Sequence, residues 1–277
     1  MRALKALAER RYKDAQANVE AMPDEPMLDL AWKQLLRGAI LLEEAHLRNA
    51  EPPLKRATAV ALTTGLDGQR PVDGDALRLA GLALIYLGML FRRQDRAERA
   101  FRAHLAALRL LAEHGSAEEL WEAAMNLGLD ADLARAHDTA QSWHRLAIEL
   151  GAWATHESER KQSIALMHLA RSLTQQGQYE RATDAARAAQ GLWRSHDTGS
   201  ADAARAEMQL AHVLVLLGES LHLCDPQKAR AALDEALACL ASAREALLPF
   251  GEETAADVQW CLDQCDFAQR LRASLAA

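Results

Sequence analysis

Ten histidines and four cysteines are the side chains of this 277-residue chain that could hold a metal or carry proton and thiol chemistry. Their spacing argues against it. Zinc hydrolases place two histidines one helical turn apart as H-E-x-x-H, and zinc or redox thiols come as C-x-x-C; neither occurs, and there is no glycine-rich phosphate loop and no G-x-S-x-G. His137 and His144 are seven apart, which fits one helix face, but the local pattern puts His137 at a turn and His144 against a neighbouring helix. Cys261 and Cys265, four apart, could face a metal together; as small hydrophobes they fit a helix core better. Arg92, Arg93, Arg96, Arg99 and Arg102, interrupted by Asp95 and Glu98, read as a solvated helix end, with an anionic partner as the sharper alternative. No cofactor, metal or catalytic residue is expected, and a hydrolase built on the histidines is rejected.

The elements that would position any site are helical. In Leu166–Gln190, Leu166, Leu169 and Leu173 recur at spacings of three and four with Ala170 beside them, which gives one apolar helix face. Gly177, in a polar stretch, is suited to the left-handed conformation that ends a helix. Tyr179, Ala182, Ala186 and Ala189 form a second stripe, whose alanines allow close backbone approach. The unit is a helical hairpin. With one alanine of each second helix as marker, Ala15, Ala57, Ala100, Ala140, Ala182 and Ala229 recur at spacings of 42, 43, 40, 42 and 47. Such self-similarity is the mark of stacked repeats that bury their apolar stripes on one another.

These residues resemble the tetratricopeptide repeat (TPR). The usual repeat is about 34 residues, so the longer period is similar to the variant of kinesin light chains and of bacterial regulator modules. The resemblance implies an all-α, right-handed superhelical solenoid of about five to six hairpins with a C-terminal capping helix, filling 1–277 as a single domain. Residues 1–22, with Leu4, Leu7, Tyr12, Ala15, Val19 and Met22, would be a half-repeat or cap ended by Pro23 and Pro26. Met27–Asn49 would be a first helix turning at Glu51-Pro52-Pro53, in a repeat lacking the family glycine. Gly65–Gly74 is the expected loop. Leu84, Leu87, Gly88 and Phe91, and Leu127 and Gly128, match the family's first helix. A polar linker follows near Ser195–Ser200, and residues 252–277 form the cap.

Composition agrees. Half the residues are apolar and 26% are charged, as in a folded protein rather than a disordered one. A net charge of −7 disfavours binding through phosphate neutralisation, so no nucleic acid is expected. The longest run free of charge, Leu79–Phe91, is shorter than the ~20 residues that span a bilayer. No membrane role, a cytoplasmic location and reduced thiols are the expectation.

The resemblance also implies where a partner would sit. First helices line the concave face of such a solenoid, and the positions between their packing residues point into the groove: Glu43 and His46; Tyr86, Met89 and Arg93; Met125, Asn126 and Leu129; Met167, His168 and Arg171; and His212. Three methionines suit a varied apolar partner. Asn126 and Arg171 match the family's carboxylate clamp only partly. The expected function is therefore a non-enzymatic interaction module that binds a peptide or helix in its groove, as scaffold or regulatory subunit. The alternative is a peptide- or ligand-sensing module of a bacterial signalling or transcriptional regulator. A homodimer through the terminal repeats is the other expected assembly.

Overall fold

The computed structural model describes residues 10–22, 27–65, 73–196 and 200–275. Leu4, Leu7, Pro23, Pro26, residues 66–72 of the Gly65–Gly74 loop and residues 197–199 of the 195–200 linker lie outside the described residues. Among those described, every regular element is helical. The helices are α1 (Tyr12–Glu20), α2 (Met27–Glu43), α3 (Leu47–Gly65), α4 (Gly74–Arg93), α5 (Ala97–His114), α6 (Ala117–Leu133), α7 (His137–Trp153), α8 (Ser158–Gln175), α9 (Tyr179–His196), α10 (Ala201–Leu221), α11 (Pro226–Leu247) and, after a 3-10 turn over Leu248–Thr254, α12 (Ala255–Ser274). They form two compact units, residues 1–136 and 137–277.

In the first unit α2 packs on α3 and α4 on α5, and α2, α4 and α6 also touch in sequence, so the first helices of its repeats lie side by side. In the second unit the pairs are α8/α9 and α10/α11, with α8, α10 and α12 adjacent in the same way. This is the all-α, TPR-like arrangement. Small residues make it possible: the marker residues Ala15, Ala100, Ala140, Ala182 and Ala229 are fully buried, and each stands three residues into a second helix.

One repeat is in a different register from the sequence expectation. The turn after α2 is Glu44–His46, and Pro52 and Pro53 lie inside α3. The marker there is Ala50, fully buried three residues after Leu47, rather than Ala57. The family glycine is then present as Gly38, where a Cβ would come 2.5 Å from Leu54 Cγ and 3.3 Å from the Ala50 carbonyl oxygen. Ala57 is also fully buried, about two turns further along the same face, so the alanine stripe alone fits either register.

The repeats share one turn. Ala45, Asp95, Arg135 and Gly177 have φ of 61°, 57°, 57° and 71°. In each, the next N–H closes onto a carbonyl five residues back: His46 on Leu41 (2.8 Å), Arg96 on Phe91 (2.9 Å), Ala136 on Ala131 (2.8 Å) and Gln178 on Leu173 (3.0 Å). Arg10 has the same left-handed φ, 55°, two residues before α1, so α1 begins as the second helix of a repeat does. A Cβ in this conformation costs about 1 kcal/mol. Ala45→Gly should therefore raise stability by up to about 1 kcal/mol and Gly177→Ala lower it by a similar amount, read as opposite shifts of the denaturant midpoint.

Caps define several starts. Asp73 accepts from the Ala76 N–H at 3.1 Å, Ser200 from Ala203 at 3.2 Å and Asp225 from Lys228 at 3.1 Å. Ser116 and Glu119 form a reciprocal capping box on α6. The apolar helix α4 is long enough, by length and composition, to cross a membrane. Just over half of that window is buried, with Leu79, Ala80, Ala83, Leu87 and Leu90 in the unit's largest core cluster. The C-terminal helix α12 seals its unit by placing Cys261 and Ala268 against α10 and α11.

Candidate functional site

The first unit presents α2, α4 and α6 as one face. Glu43 ends α2 and is exposed, and Tyr86, Met89 and Leu129 are half-buried on α4 and α6. His46 is in the turn after α2 instead of on a first helix, because α2 stops at Glu43. Arg93 donates to the Leu42 carbonyl and pairs with Glu43 at 3.5 Å, so it is tied to α2. Burial pushes the Tyr86 hydroxyl well above the usual phenol range, and the carboxylates of Glu122 and Glu43 add to the shift. The phenol is therefore a neutral donor with an apolar ring, set among carboxylates.

Two residues expected on this face are inside. Met125 and Asn126 are 5% and 6% exposed, because the whole stretch Ala123–Gly128 is buried. Asn126 Oδ1 accepts from Arg92 at 2.7 Å, and its amide donates to the Glu122 carbonyl at 2.9 Å. It is not free to clamp a ligand carboxylate.

Arg92 belongs to a polar network that sequence reasoning missed. Its guanidinium donates to Asp130 at 3.0 Å, and Asp130 meets His104 Nδ1 at 2.5 Å while His104 Nε2 faces the Ile85 carbonyl at 3.2 Å. His104 is fully buried and Asp130 nearly so. The network joins α4, α5 and α6. A usable signal was present: His104 follows Gly88 by the same interval at which Leu54 follows Gly38, so it occupies a leucine slot. The arginine run is thus only partly a solvated end. Arg96 donates to Gln94 at 2.9 Å and stacks 4.7 Å over Phe91, whereas Arg99 and Arg102 are exposed.

In the second unit Met167 packs on the Trp193, Ala203 and Ala206 cluster, and His168 stacks on the fully buried His144 at 5.6 Å. Arg171 is exposed on α8 and makes no ion pair with the described residues. His212 on α10 lies edge-on to Trp260 of α12, with ring centres 5.9 Å apart. Burial lowers the His212 pKa from 6.5, opposed by a hydrogen bond with Gln264. The native state then holds a neutral imidazole where the unfolded chain takes a proton. Stability from this residue is full above the unfolded value and falls as pH drops through about 6.5 toward the lower folded value. His212→Leu should flatten that acid-side loss in melting temperatures measured from pH 8 to 5.

Among the described residues no group of three His, Cys, Asp or Glu side chains is placed for a metal. Burial pushes the Cys239 and Cys261 thiols up to about 11, and Cys261 is fully buried in the α10–α12 core, as a small hydrophobe would be.

No protein-family model matches the sequence, and no curated protein matches it. Solved structures do match in fold. BtubC (BKLC) from P. vanneervenii superposes with a TM-score of 0.61 at 21% identity, over 86% of this chain and 89% of that one. A STAND protein with a tetratricopeptide repeat sensor, from Pyrococcus horikoshii, gives 0.66 at 14% identity; the match covers 96% of this chain but only 40% of that longer protein. A Rap protein complexed with competence and sporulation factor gives 0.55 at 14% identity, over 95% and 70%. The shared fold is that of TPR proteins.

Proposed function

We propose that this TPR fold is a non-enzymatic interaction module that binds a peptide or protein segment along its first helices. The supporting observation is the makeup of the face in the first unit. Tyr86, Met89 and Leu129 stay half-buried where α2, α4 and α6 adjoin, so an apolar strip is left in reach of solvent. Aromatic and methionine side chains are the types that gain most from a covering segment. With Arg93 and Asn126 engaged internally, the strip is not built to grip a terminal carboxylate. It fits an amphipathic or extended segment with apolar anchors. In the second unit His168, Arg171 and His212 occupy the corresponding helices. Among similar folds, a Rap protein is complexed with a separate factor, which supports the partner class.

A sensor role is the second reading, favoured by the likeness to a STAND protein whose repeats are a sensor. Selection of a displayed peptide library on the full chain tests the main one. Enriched peptides should lose binding at least about tenfold, or 1.4 kcal/mol, with Leu129→Glu or Arg171→Glu, while both variants keep the wild-type circular dichroism. Enrichment indifferent to both substitutions would remove the first-helix face from the proposal.

A further inference from the structure

A separate cavity lies in the second unit, between α9, α10 and α11. It measures about 340 Å³ and is lined by Gln190, Trp193, Arg194, Ala203, Ala204, Glu207, Ser242 and Ala246. That is the lower end of the ~300–1,000 Å³ of ligand pockets. Its polar groups are incompletely used. Glu207, 9% exposed, spends Oε1 on Gln190 Nε2 (3.2 Å) and Arg194 Nη2 (3.0 Å). Its Oε2, the Gln190 Oε1 and the Ser242 hydroxyl take part in no hydrogen bond among the described residues. Neither Glu207 Oε2 nor Gln190 Oε1 is sealed from solvent, so both acceptors can be reached by a donor that enters the cavity, beside a carboxylate that is otherwise mostly withdrawn from water.

We propose that this cavity binds a free α-amino acid. The open acceptors Glu207 Oε2 and Gln190 Oε1 receive its ammonium, the remaining N–H groups of Arg194 and the Ser242 hydroxyl receive its carboxylate, and Ala203, Ala204 and Ala246 make room for its side chain. Charge selects this class. Glu207 and Arg194 already neutralise each other, so a lone cation or anion would meet like charge, whereas a zwitterion faces the opposite sign at both ends.

Calorimetric titration of the full chain with each proteinogenic amino acid tests it. At least one should bind at about one per chain, and its N-acetyl and methyl-ester forms should bind at least about tenfold more weakly. Glu207→Gln should weaken binding by a similar factor. Ser242→Trp, at an exposed rim position, should fill the cavity and abolish binding while circular dichroism stays unchanged, which keeps the test valid if Glu207→Gln misfolds. Absence of binding by every free amino acid at about 10 mM, weaker than any useful site, overturns the proposal. So does an ester that binds as well as the free acid, which would indicate a peptide N-terminus, or an acetylated form that does, which would indicate a peptide C-terminus. Binding unaffected by Ser242→Trp would place the ligand elsewhere and overturn it too.

Discussion

Gly88→Ala is expected to destabilise the first unit by about 2–3 kcal/mol, although alanine is the better helix former by about 1 kcal/mol. A Cβ at this position would lie 2.3, 2.4 and 2.6 Å from Nε2, Cδ2 and Cε1 of His104. A flexible side chain could step aside; this ring cannot do so cheaply. It is held at Nδ1 by Asp130 and faces the Ile85 carbonyl with Nε2, and any shift breaks those contacts inside the core. The opposing propensity makes the sign diagnostic. Denaturant unfolding that shows Gly88→Ala equal to or more stable than wild type would show that α4 and α5 do not approach as described.

The second large effect is Asp130→Ala, expected to cost about 3–5 kcal/mol. Asp130 accepts from Arg92 through one oxygen and meets His104 through the other, with its side chain 1% exposed. Removing it leaves Arg92 with Asn126 alone and His104 with only the Ile85 carbonyl, and the fully buried His104 cannot be rehydrated. Asp130→Asn retains the shape and one acceptor, so its loss should be smaller. The ranking wild type, Asn, Ala in chemical denaturation checks the network, and equal stability of the two variants would refute it.

Helical hairpins with alanine seams were legible in the sequence because a buried alanine stripe and a leucine stripe leave few other solutions. The register of the repeat at α2 and α3 was not. Two prolines in α3 imitate a turn, and Ala50 and Ala57 lie on the same buried face; only the close approach of Gly38 to Leu54, a contact between helices, distinguishes the two registers. The turns themselves hide well, since Ala45, Asp95 and Arg135 take the conformation that sequence rules reserve for glycine.

The face was less legible than the fold. Periodicity cannot separate Met125 from Leu129, which are four residues apart and share one helix face, yet the first is buried and the second only half-buried because neighbouring helices cover that face unevenly. Pairings across repeats, such as Arg93 with Glu43 and Arg92 with Asn126, depend on how first helices adjoin and leave no trace in local spacing.

The central proposal, that the first-helix faces carry the partner, is tested most directly by site-specific photocrosslinking. A benzophenone amino acid at Leu129 or Arg171 is compared in cells with the same probe at exposed second-helix positions, Arg102 on α5 and Arg230 on α11. The prediction is a discrete crosslinked species of one added mass from Leu129 and from Arg171, and none from Arg102 or Arg230. Adducts from the second-helix positions alone, or the same adducts from all four, would contradict it.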